Sequence, residues 1–310
     1  MAPTSFPEFK VRFEQIPEWA SPLPTPVKGD NGPRFATGVD VPVAEHVPGA
    51  TAVAMPRQKA KRPARVEGPP PAPLPLDPEM VARLVAFVLE REAIRLRREA
   101  GESPPWTEDP ILAEGRFCNV HREHDRVTRW VSENIVGPHR DDPDLWHKLT
   151  IVRCCSNRPE ALAEYDWSSP FDAKAYLAKI EALLADGKKV FHKAYRLVIP
   201  PRELKGITYE QYYANYFLSS LWRDREQVRP RVGDTLASFA NRLCEYERFG
   251  PFFAAQVVAD HKSVGPLSDA SDWWTFARIG PGSDRGLNRV CKREVTASWS
   301  EASWHATLKH

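Results

Sequence analysis

From residue 77 onward, apolar side chains recur at intervals of three and four, the spacing that lines one face of an α-helix. Asp77 followed by Pro78 predicts a helix start, Met80, Val81, Leu84, Val85 and Val88 its buried stripe, and Gly101 its end. The run 116–136, RFCNVHREHDRVTRWVSENIV, predicts one helix with Asn119 as N-cap. Its apolar face is Val120, Val127, Val131 and Ile135, and Arg122, Asp125, Arg126 and Arg129 fall on another face. Residues 144–155 predict a helix in the core, and Asp172 caps a further helix that ends at Gly187. Residues 188–199, between Gly187 and Pro200, are the one stretch with strand character, and any strand there is short.

The same patterning continues to the C-terminus. Thr208 and Gln211 match a capping box ahead of YYANYFLSSLW, an aromatic run that reads as core rather than as a stacking platform. Leu236, Phe239, Leu243 and Tyr246 repeat helically before the turn Phe249-Gly250-Pro251, which opens another helix. Residues 268–277 predict a short helix carrying Asp269 and Asp272. Gly280-Pro281-Gly282 then leads to Ser283 as N-cap, with Arg285 in the first turn. Residues 292–310, with Trp299 and Trp304, read as a docking tail.

Residues 1–76 break the pattern. They hold 16 of the 30 prolines without a repeat, which predicts an extended arm or linker ahead of a helical domain over 77–310. Arg57, Lys59, Lys61, Arg62 and Arg65 cluster in that arm, as a phosphate-tracking patch or a solubilising linker would. The chain has 310 residues, of which 42% are hydrophobic, enough for a core. A net charge of +2 indicates no partner, so a nucleic-acid surface has to come from local clustering such as 116–136.

Five cysteines without C-x-x-C spacing argue against a disulfide framework or a zinc ribbon and for a reducing cytoplasm. His121 and His124 lack a third ligand, so no metal site is expected. No apolar run is long enough for a bilayer and the N-terminus lacks a signal-peptide core, so membrane insertion and secretion are not expected. P-loop, dinucleotide, H-E-x-x-H and G-x-S-x-G motifs are absent, so nucleotide hydrolysis, hydride transfer and zinc proteolysis have no support.

Arginines three and four residues apart suit phosphate oxygens, with Asp125 pairing to Arg122 or Arg129 to hold their forks; a solvated face of surface ion pairs has the same pattern. The Gly250-Pro251 and Gly280–Ser283 turns each offer helix N-terminal amides to a phosphate, or are ordinary helix-helix turns.

Taken together, RFCNVHREHDRVTRWV, FHKAYRL, FGPFFAAQVVADH and ARIGPGSDRGL resemble the ordered motifs of one family over about residues 110–291. It is the family of phage DNA base hypermodification proteins, the α-glutamyl/putrescinyl thymine pyrophosphorylases or amino acid:DNA transferases. It includes the helical domain attached to 5-hydroxymethyluracil DNA kinases. The resemblance implies an all-α, helix-hairpin-helix DNA glycosylase-like fold that grips double-stranded DNA and extrudes a modified thymine, with Gly250 and Pro251 in the hairpin against the backbone.

It further implies that an amino acid or polyamine displaces pyrophosphate from 5-pyrophosphoryloxymethyl-uracil, phosphorylation being left to another protein. Arg116, Arg122, Arg126 and Arg285 then stabilise the leaving group, Asp125 or Asp272 accepts the amine's proton, and Tyr195 and Asn119 contact the flipped base. Cys118 departs from the pattern, where threonine or serine is expected. The donor, whether glycine, glutamate, serine or putrescine, and any help from Mg2+ stay open. Two rival readings are a glycosylase using Asp272 and a non-catalytic DNA-binding module. A chain beginning near residue 75 should keep its far-UV helical signal; loss of folding would make the arm part of the core.

Overall fold

In the computed structural model, residues 71–155, 162–163, 165–168, 170–191, 197–200, 204 and 206–309 are described. The basic cluster of the arm and Tyr195 lie outside them. The all-α expectation holds: among the described residues the elements are helices and no strand forms, residues 188–191 and 197–200 included. They fall into two compact units, Pro75–Val120 with Gly286–Ala297, and 71–74 with 121–285 and 298–309.

The first unit is led by α1 (Pro78–Glu99), begun as expected by Asp77, whose carboxylate accepts from the Met80 amide at 3.0 Å, and followed by Gly101 at φ +77°. Asp77 also pairs with Lys292 at 2.7 Å, fastening the 286–297 segment to the helix start. The buried stripe is not the predicted one. Leu84 and Val85 are each 50% exposed, and Arg91 and Ile94 are the buried positions. Periodicity located the helix but not the turn of it that is covered. A short α2 (Pro110–Glu114) is capped by Asp109, which accepts from the Ile111 and Leu112 amides.

The second unit is built around α4 (Leu145–Cys154), all ten residues of which are buried. Helix α3 (Arg126–Val131), extended by a π turn (Ser132–Val136), packs on it through Val131 and Ile135. The capped helices predicted at Asp172 and Thr208 form as α5 (Ala173–Ala185) and α6 (Tyr209–Tyr212), the latter with both bonds of its capping box. A π turn, Tyr213–Leu218, carries α6 into α7 (Ser219–Arg223), and Ser219 Oγ donates to the Ala214 carbonyl at 2.9 Å. Tyr213 and Phe217 in that turn are fully buried, so the aromatic run is core, as its composition suggests.

After α8 (Arg225–Val228), α9 (Leu236–Cys244) buries Leu236, Phe239 and Leu243 against α10 (Pro251–His261), which also packs on α4. Then come α11 (Pro281–Val290) and α12 (Glu301–Leu308), whose Trp304 is buried.

Two histidines are enclosed in this unit. His147, with Leu218 O 3.0 Å from its Nε2, and His261 are 1% and 2% exposed, and burial pushes both imidazoles down to about 4. An unfolded histidine titrates near ~6.5, so between pH 6.5 and 4 the unfolded chain binds more protons than the native one. The stabilisation is therefore complete above pH 6.5 and is lost as pH falls. The unfolding free energy from urea titrations should drop across that window, by about 1.4 kcal/mol per pH unit per histidine at most. A pH-independent midpoint would show that the imidazoles are not held neutral.

Candidate functional site

The charged run 116–136 does not form one helix. Residues 116–121 are non-helical, Arg122–His124 make a single 3-10 turn, and α3 starts only after Asp125. Asp125, not Asn119, is the N-cap: in extended conformation (φ −72°, ψ 134°), it accepts the Thr128 amide at 2.9 Å through Oδ1. An aspartate in the middle of a helix competes with the backbone for hydrogen bonds, whereas at the start it satisfies an otherwise orphaned N–H. Arg126 and Arg129 stay exposed on α3, Val120 is exposed, and Val127 is half-buried.

The break turns Arg122 inward. Its Nη2 donates to Asp260 Oδ1 at 2.9 Å, its Nε reaches the same oxygen at 3.3 Å, and its Nη1 donates to Gln256 Oε1 at 2.7 Å. Arg153, from the last turn of α4, grips the same carboxylate with two donors. Its Nη2 meets Oδ1 at 2.6 Å, its Nε meets Oδ2, and Nη2 also reaches Thr128 Oγ1 at 3.2 Å. The Asp260 and Arg153 side chains are 1% and 3% exposed, while Arg122 remains 30% exposed. Two guanidinium groups thus share one carboxylate, and Arg122 is the one nearer solvent. Asp125 pairs with neither Arg122 nor Arg129; Asp260 is the partner that orients Arg122.

Sequence reading missed Arg153, Gln256 and Asp260. The signal was present in FFAAQVVADH, where Gln256 and Asp260 are four apart on an otherwise apolar helix, and in Arg153 within an apolar one. Charged groups in such surroundings need partners.

Gly250 is the N-cap of α10, at φ −85° with no side-chain cap, and a Cβ built on it would meet nothing within 4 Å. Neither backbone conformation nor internal crowding requires glycine there. Ser283 is not an N-cap: α11 begins two residues earlier at Pro281, and the Ser283 hydroxyl donates to the Gly280 carbonyl and accepts its N–H. Arg285 therefore sits half-buried in the second turn, and the space about Gly282 is open.

Residues 268–277 are turns rather than a helix. Both Asp272 oxygens accept backbone amides at the start of α9, from Leu236 at 2.7 Å and Ala237 at 2.9 Å. Arg116 and Asn119 belong to the first unit. No group of three or more metal-ligating side chains occurs among the described residues, and none of their helices is long and apolar enough to cross a membrane.

A model of the family described as "5-hmdU DNA kinase, helical domain" matches residues 78–308. A protein of Bacillus phage SP10 named 5-hmdU DNA kinase is 24% identical over 221 residues, which is 66% of this chain and 35% of that protein. The chain thus spans about a third of the length of this relative. No solved structure matches.

Removing Asp260 takes from the buried Arg153 guanidinium the carboxylate that its Nε and Nη2 both grip. Asp260→Ala should cost about 3–5 kcal/mol in urea unfolding. Arg122→Ala should cost much less, because Arg153 keeps the carboxylate paired. Equal losses in the two variants would show that Arg122 is as structural as Arg153.

Proposed function

Since the chain belongs to the family of 5-hmdU DNA kinase helical domains, we propose that it acts in thymine hypermodification of phage DNA, replacing a base-linked pyrophosphate by an amine. Membership bears out the kinship read from the ordered motifs. The observation that carries the reading further is the Asp260 cluster, in which all three guanidinium nitrogens of Arg122 are held by Asp260 and Gln256 while the side chain stays 30% exposed, a fixed cation within reach of oxygen-borne charge.

In the proposed step the amine nitrogen attacks the methylene on C5 of uracil. The carbon–oxygen bond to pyrophosphate breaks, and pyrophosphate leaves with the electron pair. Arg122 stabilises that charge, joined by Arg126 and Arg285. The amine's proton goes to Asp125, which is exposed and uses only Oδ1 for its cap bond among the described residues. Asp272 is the weaker choice, because both of its oxygens hold amides of α9. The same engagement counts against a glycosylase that would use it. Tyr195 is assigned to the extruded base. The Gly250-Pro251 and Gly280–Ser283 turns, at the starts of α10 and α11, are assigned to backbone phosphates in the manner of a helix-hairpin-helix protein. Donor binding and any role for Mg2+ are left to experiment.

Incubation with duplex DNA containing 5-pyrophosphoryloxymethyl-uracil and a mixture of glycine, glutamate, serine and putrescine, followed by nucleoside mass spectrometry, should yield an aminated thymidine and free pyrophosphate. Arg122→Ala should lower product formation by about a hundredfold or more, the scale of one lost oxyanion donor, while DNA retention persists. Abasic sites would instead establish the glycosylase. Salt-dependent retention with no product would leave a binding module.

A further inference from the structure

The first unit contains a cleft of about 440 Å³ between α1 and the segment 104–117. Its chemistry is unusually one-sided: Arg91, Arg98 and Arg116 line it together with Trp106 and Phe117, and no acid does. Neighbouring arginines of α1 are neutralised, Arg95 by Glu92 and Glu99 and Arg97 by Glu90. The three cleft arginines make no ion pair among the described residues.

Two of them are held by aromatic faces. Arg98 lies over the Trp106 ring at 4.8 Å and Arg91 over Phe117 at 5.8 Å. The rings are themselves fixed. Trp106 donates its indole N–H to the Glu102 carbonyl at 2.7 Å, and Phe117 lies edge-on to Phe87. A Cβ on Gly115 would come within 2.3 Å of Phe117 Cε2 and 2.6 Å of the Ile111 carbonyl, so glycine at 115 is what lets the ring lie there. Arg91 is only 8% exposed. Its Nη2 donates to the Phe117 and Cys118 carbonyls at 3.2 Å each, and its Nε–H has no acceptor. A buried guanidinium with an unmet donor, on the wall of a cleft with two more uncompensated guanidinium groups, is arranged for an anion.

We propose that this cleft is a binding site for a phosphoryl oxyanion. One carboxylate would satisfy one guanidinium fork, whereas three forks without an acid call for a polyvalent group such as a diphosphate or successive phosphates. With their faces against Trp106 and Phe117, Arg98 and Arg91 have only their N–H edges to offer, which suits oxygens rather than a stacked base. The oxyanion is either free, as pyrophosphate, or part of a DNA backbone. The cleft rests on other residues than the transferase reading, and its test involves no turnover.

Calorimetric titration of the full chain with inorganic pyrophosphate should show uptake. Arg98→Ala and Arg116→Ala, both changes at exposed positions, should each weaken it about tenfold or more, the scale of a charge-assisted hydrogen bond. If prior saturation with a short DNA duplex abolishes the uptake, the cleft holds backbone phosphate; if uptake persists, it holds the free anion. Affinity for pyrophosphate and for the duplex that is unchanged in both variants overturns the proposal. So does tighter binding of glutamate than of pyrophosphate, which would make this a carboxylate site. A protein that forms no aminated product but still shows arginine-dependent uptake keeps the site and loses only the transferase.

Discussion

The second unit depends on one carboxylate. Asp260 sits on α10, inside a helix otherwise chosen for apolar packing, and draws in Arg153 from α4 and Arg122 from the turn before α3. A lone charge at that depth would be costly; with two guanidinium partners it becomes the point at which three segments must agree. The local backbone bends to that demand. The 3-10 turn at Arg122–His124 lets Arg122 reach inward, and Asp125 then caps a fresh helix start where the chain turns back to regular structure.

The two carboxylates proposed for proton transfer divide by what their oxygens already hold. Asp272 bridges from a turn to the first amides of α9 and has no oxygen left over, whereas Asp125 caps through one oxygen only. That division comes from geometry alone. A helix start satisfied by a remote aspartate leaves that residue with the wrong occupancy for proton transfer, whatever its place in a sequence motif.

Local signals were legible in the sequence and distant ones were not. Caps at Asp77, Asp172 and Thr208 were readable because the partner amides lie two or three positions away. The buried character of residues 145–154 was readable from Leu145, Trp146, Leu149, Ile151 and Val152, but not the burial of His147, Lys148, Thr150 and Arg153 among them. The run 116–136 misled because a 3.6-residue period fits a helix begun at Asn119 as well as one begun at Asp125, and tertiary pairing decides between them. Arg122 and Asp260 are 138 positions apart and Arg153 and Asp260 107, separations at which no spacing rule operates. On α1 the pattern failed more gently: the helix is present, but the covered turns are those of Arg91 and Ile94 rather than those of Leu84 and Val85.

The five cysteines differ sharply in access. Cys154 and Cys155 are sealed in the core, and burial pushes the Cys155 thiol up to about 12, so neither is a ready nucleophile. Cys118 is exposed, and its own carbonyl is one of the two that receive Arg91. Cys118 therefore places a reagent-accessible sulfur on the residue whose carbonyl receives Arg91 of the arginine-lined cleft. An environment-sensitive dye attached there would turn an accident of composition into an optical gauge of whatever enters that cleft.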